Sequence, residues 1–124
     1  METNTARIAW LEEIAEHVYA AADSFLRLID PDEISKELVE RLRAAPITRF
    51  KAKDVFRASQ LSLLGISNTH VEKDRKKIRN GTGLSPILLV RDGTHGRVIV
   101  ADGYHRLCAI YEFDEDAWVM CKIL

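Results

Sequence analysis

One apolar run, residues 86–90 (PILLV), constrains the fold of this chain more than any other segment. An uninterrupted apolar run of this length is typical of a strand that is buried on both faces of its sheet. Turn-forming residues follow at 92–96 (DGTHG), and residues 98–101 (VIVA) are apolar again. The segment therefore predicts a β-hairpin whose first strand is buried.

The N-terminal part of the chain has the periodicity of a helix. Neither glycine nor proline interrupts residues 6–29, so we predict one long helix there. Its apolar residues recur at three- to four-residue spacing, at Ile8, Leu11, Ile14, Val18, Phe25 and Ile29.

A second helix is predicted directly after the first. Asp30 matches an N-cap, Pro31 suits the first helical position, and Glu33 completes a capping box. Pro46 ends the element. One face of this helix carries Ile34, Leu38 and Leu42.

Residues 46–81 predict a strand and a helix. The mixed apolar and basic alternation of residues 47–55 is typical of a strand, and residues 61–65 suggest a short helical turn. A helix follows over residues 69–79, with Thr69 and Glu72 as its capping box. Val71 and Ile78 would form its apolar face, and Gly81 would supply a left-handed stop.

The last segments complete the predicted fold. Residues 104–113 favour a helix with Leu107, Ile110 and Tyr111 inward, and residues 118–124 favour a strand. The order of elements after Pro46 is then β, α, β, β, α, β. We expect an α+β domain over residues 46–124 with a small mixed sheet, preceded by a two-helix extension over residues 1–45.

Composition excludes several classes of protein. The chain has 124 residues, a length suited to one domain, and its 47% apolar and 30% charged residues are not those of a disordered chain. A net charge of −1 disfavours a wholly basic nucleic-acid binder. The charge is nevertheless uneven, because residues 46–111 carry 12 cations and 5 anions. The most basic stretch, residues 72–79 (EKDRKKIR), favours a solvated helix face over a nucleic-acid interface.

The sequence also predicts the environment of the chain. It opens without the basic and apolar regions of a secretory signal, and no apolar run approaches the roughly 18 residues of a membrane span. We therefore expect a cytoplasmic protein without a membrane segment, with Cys108 and Cys121 reduced and buried.

The segment that points to chemistry is residues 100–109 (VADGYHRLCA), in which a strand passes through Gly103 into a helix. The free N–H groups of a helix N-terminus favour an anion, whereas the helix dipole opposes the cations His105 and Arg106 there. A bound phosphate or carboxylate would resolve this conflict. Alternatively, Arg106 pairs with Asp102 and His105 is a polar surface residue. The residues alone favour neither interpretation.

This region resembles the ParB/sulfiredoxin superfamily, also known as the ParB-like nuclease domain. In that family a strand starting with Pro-Ile leads into a hairpin, and the second strand enters a helix through a Gly-x-His/Arg-Arg-x-x-Ala turn. The chain has Pro86 and Ile87, followed by residues 103–109 (GYHRLCA). The resemblance covers about residues 47–124 and implies a stand-alone module of the same fold.

The resemblance implies a site for a nucleotide or another phosphate-bearing ligand, such as a nucleoside triphosphate with Mg²⁺. His105 and Arg106 would face the phosphate, Gly103 would allow close approach, and Tyr104 would line the ligand. Tyr104 stands where sulfiredoxins have their catalytic cysteine and ParB proteins a glutamate, so neither of those two reactions is implied. His105 would act as acid or base in NTPase or phosphoryl-transfer chemistry. Three residues on one face of the preceding helix would complete the site: His70, Lys73 and Lys77.

Other functions stay open. Trp10, Tyr19 and Leu26 lie off the main apolar stripe of the first helix, so they form either a dimer or partner seam or a helix clamped over the sheet. The seam would suit a non-enzymatic interaction or oligomerisation protein. Nuclease activity ranks third, since the sequence has no acidic metal cluster.

No protein-bound metal is predicted. The two D-G-x-H runs, residues 92–95 and 102–105, flank a strand of about 17 Å at about 3.3 Å per residue. One metal ion cannot use both runs.

Overall fold

The computed structural model describes residues 7–65 and 67–124, which form five helices, four strands and one 3₁₀ turn. Two helices precede the first strand, so the chain has the α+β class that the sequence predicts. The elements in chain order are α1 (Glu16–Leu26), α2 (Asp32–Ala44), β1 (Thr48–Lys51), α3 (Ala52–Ser59), α4 (Thr69–Asn80), β2 (Ile87–Asp92), the 3₁₀ turn (Gly93–His95), β3 (Arg97–Asp102), α5 (Tyr104–Phe113) and β4 (Trp118–Ile123).

The strands form one mixed sheet in the order β1-β4-β2-β3. β2 pairs antiparallel with β3 through the predicted hairpin and parallel with β4, while β1 pairs antiparallel with β4. β2 is therefore an inner strand, and Ile87, Leu88 and Leu89 are each at most 1% exposed. The prediction of a strand buried on both faces is confirmed.

Helices cover the sheet on both sides. Ile87 and Leu89 belong to the larger core cluster, with residues of α3, α4 and α5. The alternating residues Leu88 and Val90 belong to a second cluster with α1 and α2. Because side chains alternate along a strand, β2 supplies the centre of both cores.

The long N-terminal helix predicted over residues 6–29 is wrong in its first half. Residues 1–6 lie outside the described residues, and residues 7–15 are not helical. Instead, Trp10 forms a parallel bridge with Leu84, in which Leu84 N–H donates to Ala9 and Leu11 N–H donates to Leu84. The backbone bonds that a helix would use are thus taken by a distant segment.

The inward face of α1 also differs from the prediction. Tyr19 and Leu26 are 7% and 1% exposed and pack in the second core cluster, whereas Phe25 and Ile29 are exposed. Trp10 is partly buried against the larger cluster. Of the two alternatives left open for Trp10, Tyr19 and Leu26, the structure has the helix clamped over the sheet, because α1 packs on β3 and α2 and the three side chains are buried or partly buried.

The start of α2 is not the predicted capping box. Pro31, not Asp30, is the N-cap residue, and the Asp30 backbone N–H donates to Leu26. Leu42 is buried and Ile34 is exposed, because the inward face of α2 is shifted toward Ser35 and Val39.

The strand predicted over residues 47–55 ends at Lys51, where α3 begins. The N–H groups of Ala52 and Lys53 donate to Ala117 and Glu115 at 2.8 and 2.9 Å, which turns the chain out of the sheet. Ala52 and Val55 then form a buried helical face with Ser59. The helical turn predicted at residues 61–65 is also wrong, because these residues adopt no regular structure.

Helices α4 and α5 lie where the sequence predicts them. Val71 and Ile78 are buried, and Gly81 ends α4 with a φ of +72°. The cap alone differs, because the Asn68 side chain accepts from His70 N–H and Val71 N–H in place of the Thr69–Glu72 box. Of the inward residues predicted for α5, Leu107 and Ile110 are buried, and Tyr111 is partly buried against the larger core cluster.

Both cysteines are buried and free, as predicted. No helix within residues 7–65 and 67–124 is long and apolar enough to cross a membrane.

Candidate functional site

A polar cavity of about 370 Å³ lies where β3 ends and α5 begins. β3 is an edge strand, and the cavity at its end receives residues from both helical layers, such as His17 of α1 and His70 of α4. It brings together all seven predicted site residues, namely His70, Lys73, Lys77, Gly103, Tyr104, His105 and Arg106. Three other residues share its walls: His17, Asp74 and Asp102.

The N-terminus of α5 faces this cavity. Gly103 is its N-cap residue, and the backbone N–H of Leu107 donates to the Gly103 carbonyl at 2.9 Å. The N–H groups of the first helical turn have no acceptor within the helix. They belong to residues that line the cavity, so an anion bound there would meet unpaired donors and the positive end of the helix dipole.

The strand-to-helix turn requires glycine at position 103. Its φ is +115°, a value that L side chains rarely adopt. A Cβ there would lie 2.8 Å from Cγ1 of the buried Ile87 and 2.9 Å from Nη2 of Arg106. The absence of a side chain at Gly103 therefore makes room for Arg106 and for the core residue Ile87.

Arg106 forms an ion pair that does not satisfy all of its nitrogen donors. Its Nη2 donates to Asp102 Oδ2 at 3.1 Å, and the two side chains are 17% and 23% exposed. The alternative pairing with Asp102 considered from the sequence is therefore present. However, the buried Nε of Arg106 has no hydrogen-bond partner among residues 7–65 and 67–124. A buried donor without a partner costs free energy, so the pair with Asp102 does not complete the environment of Arg106.

α4 presents the predicted basic face to the cavity. His70, Lys73 and Lys77 recur at i, i+3 and i+7 and all line its wall. In the described part of the chain, neither lysine has a carboxylate within 4 Å of its ammonium group. Their charges are therefore not neutralised by an ion pair.

Two imidazoles meet where α4 and α5 begin. The ring centroids of His70 and His105 are 4.9 Å apart, with an angle of 39° between the planes. Farther along both helices, Arg75 Nη1 lies 3.7 Å from Glu112. The two helices therefore run in the same direction and both start at the cavity.

Asp74 is a site residue that the sequence analysis missed. Burial raises the pKa of its carboxyl group, and the charges of Arg106, Lys77, His105 and Lys73 oppose that rise. Helical spacing contained the signal, because Asp74 follows His70 by four positions and precedes Lys77 by three. A half-buried carboxyl with a raised pKa among cations is suited to exchanging a proton.

His17 is exposed and also lines the cavity. It belongs to α1, which reaches the site by packing against β3. No local pattern around His17 indicates this position, because it depends on contacts between segments far apart in the chain.

Tyr104 faces the connection between α3 and α4. Its hydroxyl donates to the Ser62 carbonyl, and burial raises its pKa. Cys108, one turn later, lies on the same side, where Leu64 N–H donates to its Sγ at 3.5 Å. Burial raises the Cys108 pKa, so this thiol is not an activated nucleophile.

The described residues contain no group of three or more His, Cys, Asp or Glu side chains placed to hold a metal ion. The two D-G-x-H runs lie at opposite ends of β3, and in the first run Asp92 pairs with His95 and Arg97.

Comparisons of this chain with protein-family models, with curated proteins and with solved structures found no match.

Proposed function

We propose that the cavity at the start of α5 binds the phosphate groups of a nucleotide or of another phosphate-bearing ligand. One observation carries this proposal: seven residues selected from the sequence as phosphate contacts line one polar cavity. They come from two helices, and 26 positions separate Lys77 from Gly103 along the chain. Proximity in sequence therefore does not account for their meeting.

The charges of the cavity support an anionic ligand. Lys73, Lys77 and Arg106 provide three cations against the carboxylates of Asp74 and Asp102. A phosphate oxygen would accept from the first-turn N–H groups of α5 and from these cations, and charge-assisted hydrogen bonds are the strong ones. It would also offset the unfavourable placement of Arg106 at the positive end of the α5 dipole.

The two carboxylates favour a phosphate that arrives with Mg²⁺. Mg²⁺ is commonly held by one or two carboxylates together with substrate phosphates, while keeping several waters. Asp74 and Asp102 are the carboxylates that would face it. We therefore propose a nucleoside triphosphate with Mg²⁺ as the ligand. The resemblance to the ParB/sulfiredoxin superfamily implies the same ligand.

Catalysis is a further part of this proposal. His105 would accept or donate the proton in hydrolysis or transfer of a phosphoryl group, since its ring lines the cavity beside His70.

Titration calorimetry with ATP, CTP and GTP, each with and without Mg²⁺, tests the binding. Lys77→Ala should weaken binding about tenfold, which corresponds to about 1.4 kcal/mol. Lys76→Ala is the matched control, because Lys76 is exposed on the same helix outside the cavity. Equal affinity of the two variants, or no binding by the wild type, would refute the proposal.

A second candidate function, an interaction protein, is favoured by the apolar surface where α1 meets α2. Phe25, Leu28, Ile29 and Ile34 are exposed there, and Leu28 is 85% exposed. Large exposed apolar patches mark protein–protein interaction sites. Light scattering of the wild type and of Leu28→Glu tests it: a self-associating wild type and a monomeric variant would support assembly through this surface.

A further inference from the structure

A second cavity lies between α3 and the sheet, away from the polar site. It is an open groove of about 410 Å³. Leu89, Val98 and Ile123 from three neighbouring strands form its floor, and Phe50 and Val55 form a wall. Volume and lining are those of a small-molecule site, since such sites are mostly apolar and span about 300–1,000 Å³.

The groove exists because small residues surround it. α3 has eight residues, and it presents Ala58 to the groove. Gly93 and Gly96 of the adjacent hairpin turn also line it, and a Cβ built on either glycine would meet no atom within 4 Å. The side chains at these positions are thus too small to fill the space.

One arginine, Arg91, gives the groove a charged rim. Arg97 pairs with Asp92 at 2.9 Å, and the β2–β3 register places both on the opposite face of the sheet from Arg91 and Val98. Arg91 has no carboxylate within 4 Å in residues 7–65 and 67–124. Asp54 is the one acidic side chain that lines the groove in the described structure, and it lies 4.0 Å from Arg57.

We infer that this groove binds a small apolar carboxylic acid. The hydrocarbon part of the ligand would cover Phe50 and Ile123, which are at least partly exposed, and this contact removes apolar surface from water. The carboxylate would pair with Arg91, whose planar guanidinium group matches a carboxylate with two parallel hydrogen bonds. A positively charged head group would be disfavoured at the same rim.

The groove is separate from the proposed phosphate site. Arg97 begins β3 and Asp102 ends it, so the two cavities are about 17 Å apart along the strand at about 3.3 Å per residue. The inference therefore does not depend on the proposed function. Lys77→Ala, which should impair phosphate binding, should leave binding in the groove unchanged.

Calorimetry with three ligands that share one hydrocarbon chain tests the inference: octanoate, 1-octanol and octylammonium. Octanoate should bind at least tenfold more tightly than 1-octanol, and octylammonium should bind most weakly. Arg91→Gln should remove most of the preference for octanoate over 1-octanol. Arg41→Gln is its matched control, because Arg41 is exposed on α2 outside the groove.

A second pair of variants tests the location. Ala58→Phe places a ring in the groove and should reduce octanoate affinity at least tenfold, whereas Ala44→Phe, on exposed α2 surface, should not. Circular dichroism verifies the fold of each variant, and Arg91→Gln decides the outcome if Ala58→Phe does not fold. The inference is overturned if octanoate does not bind, if 1-octanol binds equally well, or if Arg91→Gln leaves the preference intact.

Discussion

Replacing Gly103 by alanine tests the geometry on which the polar cavity depends. The new Cβ would lie 2.8 Å from Cγ1 of Ile87, a fully buried side chain that cannot move freely, and 2.9 Å from Nη2 of Arg106. Arg106 would be displaced from Asp102. Gly103→Ala should therefore both destabilise the fold and disturb the site.

The expected loss in the free energy of unfolding has two parts. A non-glycine residue at a φ of +115° costs about 1–3 kcal/mol, and overpacking against the core costs about 1–3 kcal/mol more. Alanine also lowers the conformational entropy of the unfolded chain, which raises the free energy of unfolding by about 0.4–1 kcal/mol. These ranges combine to a net loss of about 1–5.6 kcal/mol, and a loss near the middle of that range lowers Tm by roughly 10 °C in a chain of this size.

Two control substitutions separate the contributions. Gly81→Ala carries positive-φ strain without a clash, because its φ is +72° and a Cβ there meets nothing within 4 Å. Gly93→Ala carries neither and should be nearly neutral. Thermal unfolding followed by circular dichroism should rank Gly93→Ala above Gly81→Ala and Gly103→Ala last. If Gly103→Ala unfolds at the same temperature as Gly81→Ala, the crowding by Ile87 and Arg106 is refuted.

Two further predictions concern side chains that the sequence analysis did not single out. Ser35 is buried and its hydroxyl donates to Asp23 Oδ1 at 2.6 Å, so Ser35→Ala should lower the free energy of unfolding by about 1 kcal/mol in urea titrations. The exposed Ser62→Ala is the control, and an equal effect of both would contradict this role. Because the folded state raises the pKa of Asp74, its ionisation destabilises the fold as pH rises through that pKa. Asp74→Asn should therefore raise Tm at pH 7, with a gain that shrinks as pH falls below the ordinary aspartate range; a gain that is constant with pH would argue against a raised pKa.

The candidate site was predictable where it depends on one helix at a time. His70, Lys73 and Lys77 share a face because of helical spacing, and Gly103 marks a strand-to-helix turn. The same helical spacing also predicts Asp74 as a residue of the site. The pairing of the His70 and His105 rings, in contrast, depends on how α4 and α5 pack together.

Two of the failed predictions share one physical cause. Residues 7–15 have a helical apolar pattern, yet their backbone bonds to Leu84. Close approach there is permitted by Gly83, since a Cβ at that position would lie 2.7 Å from Leu11 Cδ2. Likewise, β1 ends early because Ala52 and Lys53 donate to the segment just before β4. Local periodicity contains no information about these partners.

Features that arise within a few residues follow from the local amino-acid pattern: the buried β2 strand, its hairpin with β3, the helices α2, α4 and α5, and the basic face of α4. Long-range packing sets which face of α1 is buried, where its helix begins, and that His17 reaches the polar cavity. The reason is that every buried backbone N–H and C=O needs a partner. Helices and tight turns supply that partner locally, whereas the chain around Trp10 and Ala52 finds it only when distant segments meet.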